Sequence, residues 1–344
     1  MIVSIQSKVV QGPWGGGNLF TSNLVDYLLK NNNEVIDNLY DKNIDVILMT
    51  DPLKQSISIN YSFNEIKRYK KYINPGVKIV HRINECDERK NTNYVNKEIL
   101  TCNKIADTTV FVSEWLKGIY EQLGLLNNNR VILSGSNKNI FNDIGKIKWN
   151  NKSNIKIVTH HWGTNINKGF KVYEYIDKLI DENNLNNVEF TYIGNLPSKF
   201  MFKSSNYIEP LQGSDLANEL KKHDIYLTAS INEPSGNHHI EGAQCGLPLL
   251  FINSGGVAEY CKDYGLAFDD IEQFRKTLYD LIDNYDFYFK KIKDYPHNSE
   301  KMCNDYIDVF KQIILEDNNL QNKNIYSNFY KIIYSLNKLK NKII

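Results

Sequence analysis

The chain has 344 residues, of which 42% are hydrophobic and 24% charged, and its formal net charge is +1. This length predicts about two domains, and the composition is typical of a soluble globular protein rather than a disordered one. Because the charges nearly balance, nothing in the composition indicates a nucleic-acid partner.

Strands and helices alternate along residues 1–148, which we assign to a first domain. Segments of helical periodicity separate short runs rich in valine and isoleucine, and these runs are MIVSIQ, VILMT, VKIVHRI, TTVFVS and RVILSG. Such βαβ alternation predicts a parallel sheet with helices on both faces. After Gly135 a polar segment, SNKNIFNDIGKIKWNNKSN, predicts a linker to a second domain.

Residues 149–323 repeat the alternation and form the predicted second domain. Its apolar runs are IKIVTHH, VEFTYIGN, IYLTAS and LPLLFIN, and the sequence becomes helical from Ile271 onward. We therefore predict an α/β fold of two doubly wound, Rossmann-like domains that face a central cleft. Sheets of this kind bind ligands at the carboxyl ends of their strands.

The lysine-rich segment at about 324–344 has apolar residues at helical spacing and predicts a C-terminal helix. Two interpretations of this helix remain open. It packs on a domain, which we take to be the first, with its lysines in solvent. Alternatively, it lies on an anionic membrane surface as a peripheral contact.

The expected location follows from the cysteines and from the apolar runs. The five cysteines are widely spaced and include no C-x-x-C pair, which argues against a disulfide framework or a zinc ribbon. The first residues, MIVSIQSKVVQG, predict a core strand rather than a signal peptide, and no apolar run approaches the ~20 residues of a membrane span. We therefore expect a cytoplasmic protein, at the inner face of the membrane if the C-terminal helix binds lipid.

The stretch NEPSGNHHIEGAQCGLPLL, residues 232–250, places polar groups at the edge of a buried region. It follows the strand IYLTAS, so Glu233 lies in a loop at the carboxyl end of that strand. A short helix comes next, with Glu241 about one turn inside it. Ser235 or Asn237 can cap this helix. The free N–H groups of a helix N-terminus attract anions such as phosphate.

The spacing of these residues resembles the signature of a known family. Two glutamates separated by seven residues and followed by Gly-x-x-x-Gly-x-Pro are similar to the motif of the family 4 retaining glycosyltransferases, of the glycosyltransferase group 1 type, which have the two-Rossmann GT-B fold. Two further pieces of the sequence match motifs of that family, Asn167-Lys168-Gly169-Phe170 and Ser254-Gly255-Gly256-x-x-Glu259. The resemblance covers about 155–270 closely and the first domain more loosely.

The resemblance implies a role for each matching residue. Glu241 would hydrogen-bond the ribose of a nucleotide donor, and Glu233 would contact the donor sugar near the reacting centre. Lys168 would neutralise the leaving diphosphate, where a preorganised cation or N–H donor stabilises the transition state by about 3 kcal/mol. Gly255 and Gly256, without side chains, would let the backbone approach the donor closely.

One departure from the family concerns the grip on the diphosphate. The family usually has an arginine several residues before the lysine, but this sequence has HHWGTNIN there. His160, His161 or Asn165 could substitute for the arginine. Otherwise the diphosphate would rely on Lys168 and on helix ends.

Other candidates lie near the predicted cleft. Gly16 and Gly17, in a glycine triplet between a strand and a helix, suit close approach to a phosphate or sugar, although a tight turn uses glycine as well. His81, in the strand VKIVHRI, is near a family position that faces the acceptor or the donor sugar, and a structural role is its alternative. The remaining candidate donor-binding residues are His160, Asn237 and His238.

The resemblance implies a retaining glycosyltransferase that moves a sugar from a nucleotide-sugar donor to a hydroxyl of a growing glycan or a lipid-linked acceptor. The donor would bind mainly to the second domain and the acceptor mainly to the first. Because the histidines lack metal-ligand spacing and the family does not generally need a catalytic metal, we expect no metal or other cofactor. Two alternatives stay open: a nucleotide-sugar epimerase or phosphorylase of the same fold, and a catalytically silent sugar-nucleotide-binding protein.

Overall fold

The structure is a computed structural model that describes residues 1–10, 15–53, 57–126 and 128–318. These residues form two sheets of six parallel strands, one in each half of the chain. Helices alternate with the strands along both halves. The predicted α/β fold of two doubly wound domains is therefore confirmed.

The first sheet belongs to the N-terminal half of the chain. Its strands are β1 (Ile2–Ile5), β2 (Glu34–Ile36), β3 (Val46–Met49), β4 (Lys78–Ile83), β5 (Thr108–Phe111) and β6 (Asn129–Val131). Their order across the sheet is β2-β1-β3-β4-β5-β6. All four residues of β3 and of β5 are buried, as expected for a parallel sheet that is covered on both faces.

Five described helices follow strands of the first sheet within the N-terminal half of the chain. They are α1 (Gly16–Lys30), α2 (Phe63–Tyr72), α3 (Asp87–Lys90), α4 (Val95–Asn103) and α5 (Glu114–Gln122). The local sequence explains where two of them begin. Ser62 and Glu65 form a capping box at α2, and the Ser113 hydroxyl accepts a backbone hydrogen bond at the start of α5.

The second sheet has the order β12-β11-β10-β7-β8-β9. Its strands are β7 (Ile155–His161), β8 (Val188–Gly194), β9 (Asn206–Ile208), β10 (Ile225–Thr228), β11 (Leu249–Ile252) and β12 (Gly265–Phe268). The accompanying helices are α6 (Phe170–Asp181), α7 (Gly213–Leu220), α8 (Asn237–Gln244), α9 (Val257–Cys261), α10 (Ile271–Asp283) and α11 (Tyr285–Lys291). Short 3₁₀ turns occur at Ile166–Lys168 and Ile292–Asp294.

The last described helix, α12 (Ser299–Asn318), returns to the first domain. Tyr306 of this helix lies in the same apolar cluster as Phe20 of α1, with the two ring centroids 5.2 Å apart. The chain therefore crosses back before the end of the predicted second domain, and α12 is part of the first core instead. The helix predicted at about 324–344 lies outside the described residues.

The two domains meet where the loops after β4 and β10 approach each other. Asn232, in the loop after β10, donates a side-chain hydrogen bond to the Glu88 carbonyl of α3 over 3.2 Å. Nearby, the Tyr260 hydroxyl of α9 donates to the Val112 carbonyl at the end of β5. The carboxyl ends of both sheets thus border one interface. In the part of the chain described here, no helix combines the length and apolar character needed to cross a bilayer.

Candidate active site

A cluster of three charged side chains lies at the interface between the two domains. The Lys168 amine donates to Glu233 Oε2 over 2.6 Å, and Arg89 Nε lies 3.5 Å from Glu233 Oε1. The three side chains are only 10–14% exposed. Burial opposes ionisation of Glu233, but Lys168 and Arg89 outweigh it and lower the pKa of Glu233 to about 2. The carboxylate is therefore ionised at neutral pH.

A tight turn brings Lys168 to this cluster. Gly169 follows Lys168 with φ of 100°, in the left-handed region that favours glycine. A Cβ atom at Gly169 would lie 2.7 Å from the Ala229 side chain, so the glycine lets the turn approach the end of β10. The Ile231 N–H also donates to the Asn167 carbonyl over 2.8 Å, which ties the lysine turn to the loop that carries Glu233.

Glu241 has different partners from Glu233. It lies on α8 with 5% exposure, and its Oε2 accepts a 2.8 Å hydrogen bond from His160 Nε2. The other ring nitrogen, His160 Nδ1, lies 3.0 Å from the Tyr226 hydroxyl, which can donate to it. Glu241 Oε1 has no hydrogen bond to any described residue, so it can accept one from a ligand. His160 thus orients Glu241, and its predicted contact with the donor diphosphate stays a prediction.

The start of α8 differs from the prediction that Ser235 or Asn237 caps it. The N-cap residue is Gly236, with φ of 84°, and no side-chain cap is formed. Ser235 instead donates to the Ser134 hydroxyl over 2.9 Å. Asn237 faces the first domain, where a Cβ atom added to Gly16 would lie 3.1 Å from its Nδ2. Both candidates are used for contacts between domains, so the first N–H groups of α8 lack a side-chain partner among the described residues.

Four histidines pack beside the two glutamates. The ring centroids of His161 and His238 are 4.5 Å apart, and those of His238 and His239 are 4.9 Å apart. Burial lowers the pKa of His161 and His238 well below the ordinary value, and lowers that of His239 to about 3. These three rings are therefore neutral. Neither ring nitrogen of His239, which is fully buried, has a hydrogen-bond partner among the described residues.

His238 is held by β10, since its Nε2 lies 2.8 Å from Thr228 Oγ1. His161 Nε2 lies 2.7 Å from the Tyr173 hydroxyl. In the described ranges, no three histidine, cysteine or acidic side chains converge in a way that suits a metal ion. The expectation that the protein needs no metal stays a prediction.

The first-domain candidates line a cavity of about 470 Å³ at the carboxyl end of the first sheet. Gly16, Gly17 and His81 are among its lining residues. His81 is buried, and burial lowers its pKa to about 3. Asn103 Nδ2 donates to His81 Nδ1 over 2.9 Å, which leaves the ring proton on Nε2. His81 is therefore a neutral hydrogen-bond donor at this cavity, and its catalytic role stays a prediction.

Gly255 and Gly256 have a packing role in the structure. A Cβ atom at Gly255, where φ is 66°, would lie 2.5 Å from the Glu233 carbonyl oxygen. A Cβ atom at Gly256 would lie 2.4 Å from the Pro234 carbonyl and 2.7 Å from Ser113 of the first domain. These glycines let the loop that carries Glu233 pack closely. Their predicted contact with the donor stays a prediction.

Sequence reasoning missed two residues that connect the domains at this site. Glu259 accepts hydrogen bonds from the backbone N–H groups of Glu114 and Trp115, at 2.7 and 2.8 Å, and so caps α5 from the opposite domain. Arg89 reaches Glu233 although 144 residues separate them in the chain. The family motif drew attention to Glu259 but gave it no partner, and no local pattern distinguishes Arg89 from a surface arginine.

Comparisons with known proteins agree with the architecture. Residues 160–284, which include Lys168, Glu233 and Glu241, match a family model described as glycosyl transferases group 1. No curated protein sequence matches the chain. Sucrose-phosphate synthase from Thermosynechococcus elongatus superposes with a TM-score of 0.67 and 11% identity, over 92% of this chain and 98% of that one.

Two further solved structures are similar along nearly their whole length. Anabaena HepE in complex with UDP and glucose has a TM-score of 0.61 and 13% identity, over 93% of this chain and 99% of that one. A glycosyltransferase from Rickettsia africae has a TM-score of 0.57 and 16% identity, over 91% and 98% of the two chains. At these identities the similarity shows the fold. The predicted GT-B architecture is confirmed, and residues 160–284 carry the glycosyl transferases group 1 pattern.

Proposed function

We propose that this protein is a retaining glycosyltransferase that moves a sugar from a nucleotide-sugar donor to an acceptor hydroxyl. The observation that carries the proposal is the pair of buried carboxylates, Glu233 and Glu241, beside Lys168 at the carboxyl edge of the second sheet. All three lie within the residues that match the glycosyl transferases group 1 model. The Anabaena structure with UDP and glucose is consistent with a nucleotide-sugar donor.

The roles of the residues follow from their partners. Glu241, with Oε2 held by His160, presents Oε1 to the donor ribose. Lys168 neutralises the diphosphate as the bond between the sugar and the phosphate breaks, and this is where negative charge develops. The acceptor hydroxyl attacks the anomeric carbon from the side of the leaving group. Its proton passes to a diphosphate oxygen, so no separate base is needed.

We place the acceptor, a growing glycan or a lipid-linked sugar, on the first domain. The cavity lined by Gly16, Gly17 and His81 opens at the carboxyl end of that sheet, where such sheets bind ligands. Closing the two domains around both substrates would exclude water from the reacting centre. A cytoplasmic location remains part of the proposal, and for residues 324–344 packing on the first domain and peripheral membrane contact remain the two alternatives.

Donor binding is tested by measuring the melting temperature with UDP, GDP, ADP and CMP sugars, followed by calorimetry with the best donor. Glu241→Gln removes one charged hydrogen-bond acceptor, which is worth about 1.5–3 kcal/mol, so the dissociation constant should rise roughly 10-fold to 150-fold. The exposed Glu272→Gln, on α10, is the matched control and should bind like the wild type.

Two results would contradict the proposed function. Either no nucleotide sugar raises the melting temperature of the wild type, or the bound donor is never consumed with any acceptor. An isomerised sugar formed without an acceptor would instead identify an epimerase of the same fold, and a sugar phosphate formed from a glycan and inorganic phosphate would identify a phosphorylase. Product analysis by mass spectrometry and anomeric NMR separates these outcomes and also shows whether the configuration is retained.

A further inference from the structure

Arg89 belongs to the first domain, but its side chain contacts the cluster that Lys168 and Glu233 of the second domain form. It lies on α3, which follows β4, and its guanidinium approaches the same carboxylate that Lys168 contacts from the second domain. Since one oxygen of Glu233 contacts each cation, both cations lie within reach of a single phosphate-sized anion. The sequence has no arginine between Arg130 and Arg275, so the second domain offers no arginine near Lys168.

A network of hydrogen bonds fixes the short helix that carries Arg89. The Asp87 carboxylate accepts from Thr92 Oγ1 at 2.6 Å and from the Val95 and Asn96 N–H groups at 2.9 and 3.1 Å. The helix then ends at Asn91 in the left-handed conformation. An arginine on a solvated surface turn would not need this support. These hydrogen bonds join the turn that carries Arg89 to the start of α4 and so fix its position beside the interface.

The contact between Arg89 and Glu233 involves only one of the three guanidinium nitrogens. It runs through Nε at 3.5 Å, and the terminal nitrogens of the guanidinium have no hydrogen bond to any described residue. Arginine binds phosphate best through two parallel N–H donors, and such donors are free here. With Lys168 and Arg89 each at +1 and Glu233 at −1, the cluster keeps one net positive charge. A further anion would balance it.

We propose that Arg89 binds the donor diphosphate together with Lys168, and that Glu233 occupies the place of that diphosphate until a nucleotide sugar displaces it. This inference rests on the proposed function. Because the two cations belong to different domains, the diphosphate would hold the cleft closed. Glu233, once released, would be free to contact the donor sugar.

The test compares Arg89→Gln, Arg89→Lys and Glu233→Gln by calorimetry, with the best-binding of UDP, GDP and ADP and with its parent nucleoside. Arg89→Gln should weaken the diphosphate roughly 10-fold to 100-fold and leave the nucleoside unchanged. Arg89→Lys should recover only part of the loss because lysine cannot bind bidentately. Glu233→Gln should tighten the diphosphate, by about tenfold, since no internal carboxylate competes for the cations. The exposed Arg68→Gln, on α2, is the matched control.

Each outcome decides between the proposals. If the wild type binds a nucleoside diphosphate but Arg89→Gln binds it equally well, Arg89 is a structural ion pair and this inference is wrong, while the proposed function stands. Weaker diphosphate binding by Glu233→Gln would also show that Glu233 is no competitor. If the wild type binds none of the three diphosphates, this inference fails, while the melting-temperature screen with nucleotide sugars still decides the proposed function. Should Arg89→Gln not fold, as judged by circular dichroism, Arg89→Lys and Glu233→Gln still decide the question.

Discussion

Acid should destabilise this protein well before its carboxylates are protonated, because several histidines are buried in neutral form. Burial lowers the pKa of His81 and of His239 to about 3, whereas a histidine in the unfolded chain titrates near 6.5. Above pH 6.5 neither state binds a proton and the full stability is present. As the pH falls below 6.5 the unfolded state takes up protons that the folded state cannot, so the free energy of unfolding decreases.

The magnitude follows from the two pKa values. At pH 5 an unfolded histidine is about 1.5 pH units below its midpoint, and each unit corresponds to about 1.4 kcal/mol, so each buried neutral histidine costs about 2 kcal/mol. His81 and His239 together cost about 4 kcal/mol, a large part of a typical stability of about 5–15 kcal/mol. The pKa of Glu233 is lowered to about 2, whereas an unfolded glutamate titrates near 4.5. Glu233 therefore reduces the free energy of unfolding only when the pH falls below about 4.5. The window from pH 6.5 to 4.5 therefore reports mainly the buried histidines, to which His161 and His238 also contribute, while the raised pKa values of Glu85 and Asp224 oppose part of the loss.

Urea denaturation followed by tryptophan fluorescence at pH 7, 6 and 5 measures this loss. His239→Phe removes one of the titrating groups, so its stability should depend less steeply on pH, by about one proton. The exposed Glu272→Gln serves as a control and should keep the wild-type slope. An unfolding free energy that stays constant from pH 7 to 5 would refute the reasoning, as would a His239→Phe variant with the slope of the wild type.

Three further results are expected. At pH 7, His239→Phe should raise the free energy of unfolding by about 1–3 kcal/mol, because it removes buried nitrogens that have no hydrogen-bond partner among the described residues. Unchanged or lower stability in urea would show that these nitrogens do have partners. Gly255→Ala should lower stability by at least about 1–3 kcal/mol because of its positive φ and the 2.5 Å approach of a backbone oxygen. Gly17→Ala, in helix α1 and with no atom within 4 Å of the added Cβ, should be as stable as the wild type or more stable by up to about 1 kcal/mol. Glu259→Gln should lower the melting temperature through loss of about 1 kcal/mol of helix capping between domains, and equal melting temperatures would contradict that role.

The fold was predictable from the sequence because its signal is local. Runs such as VILMT and LPLLFIN are strands buried on both faces, and their alternation with helical segments determines two parallel sheets. The positions of Glu233 and Glu241, in a loop and on the following helix, also follow from short-range pattern. In each case neighbouring residues carry the information.

Contacts between distant parts of the chain were not predictable in the same way. Periodicity does not say which helix crosses to the other domain, so α12 was assigned to the wrong core. Nor does it say that Ser235 bonds to Ser134 of the first domain, or that Gly236 rather than Ser235 or Asn237 holds the N-cap position of α8. The sequence did not predict Arg89 as a site residue for the same reason, because its partner Glu233 lies 144 residues away in the chain. These features depend on how the two domains dock.

The two glutamates of the motif differ in the forces that hold them, and this difference accounts for a division of labour under the proposed function. Glu233 is held by charge, between Lys168 and Arg89, and another anion of suitable size can take its place. Glu241 is held by a hydrogen bond from His160, backed by Tyr226, whose pKa burial raises so that it keeps its proton. To bind, a diphosphate needs cations whose carboxylate partner it can displace. A ribose hydroxyl instead needs a hydrogen-bond acceptor at a fixed position. The loop that carries Glu233 meets the first requirement and the helix that carries Glu241 meets the second.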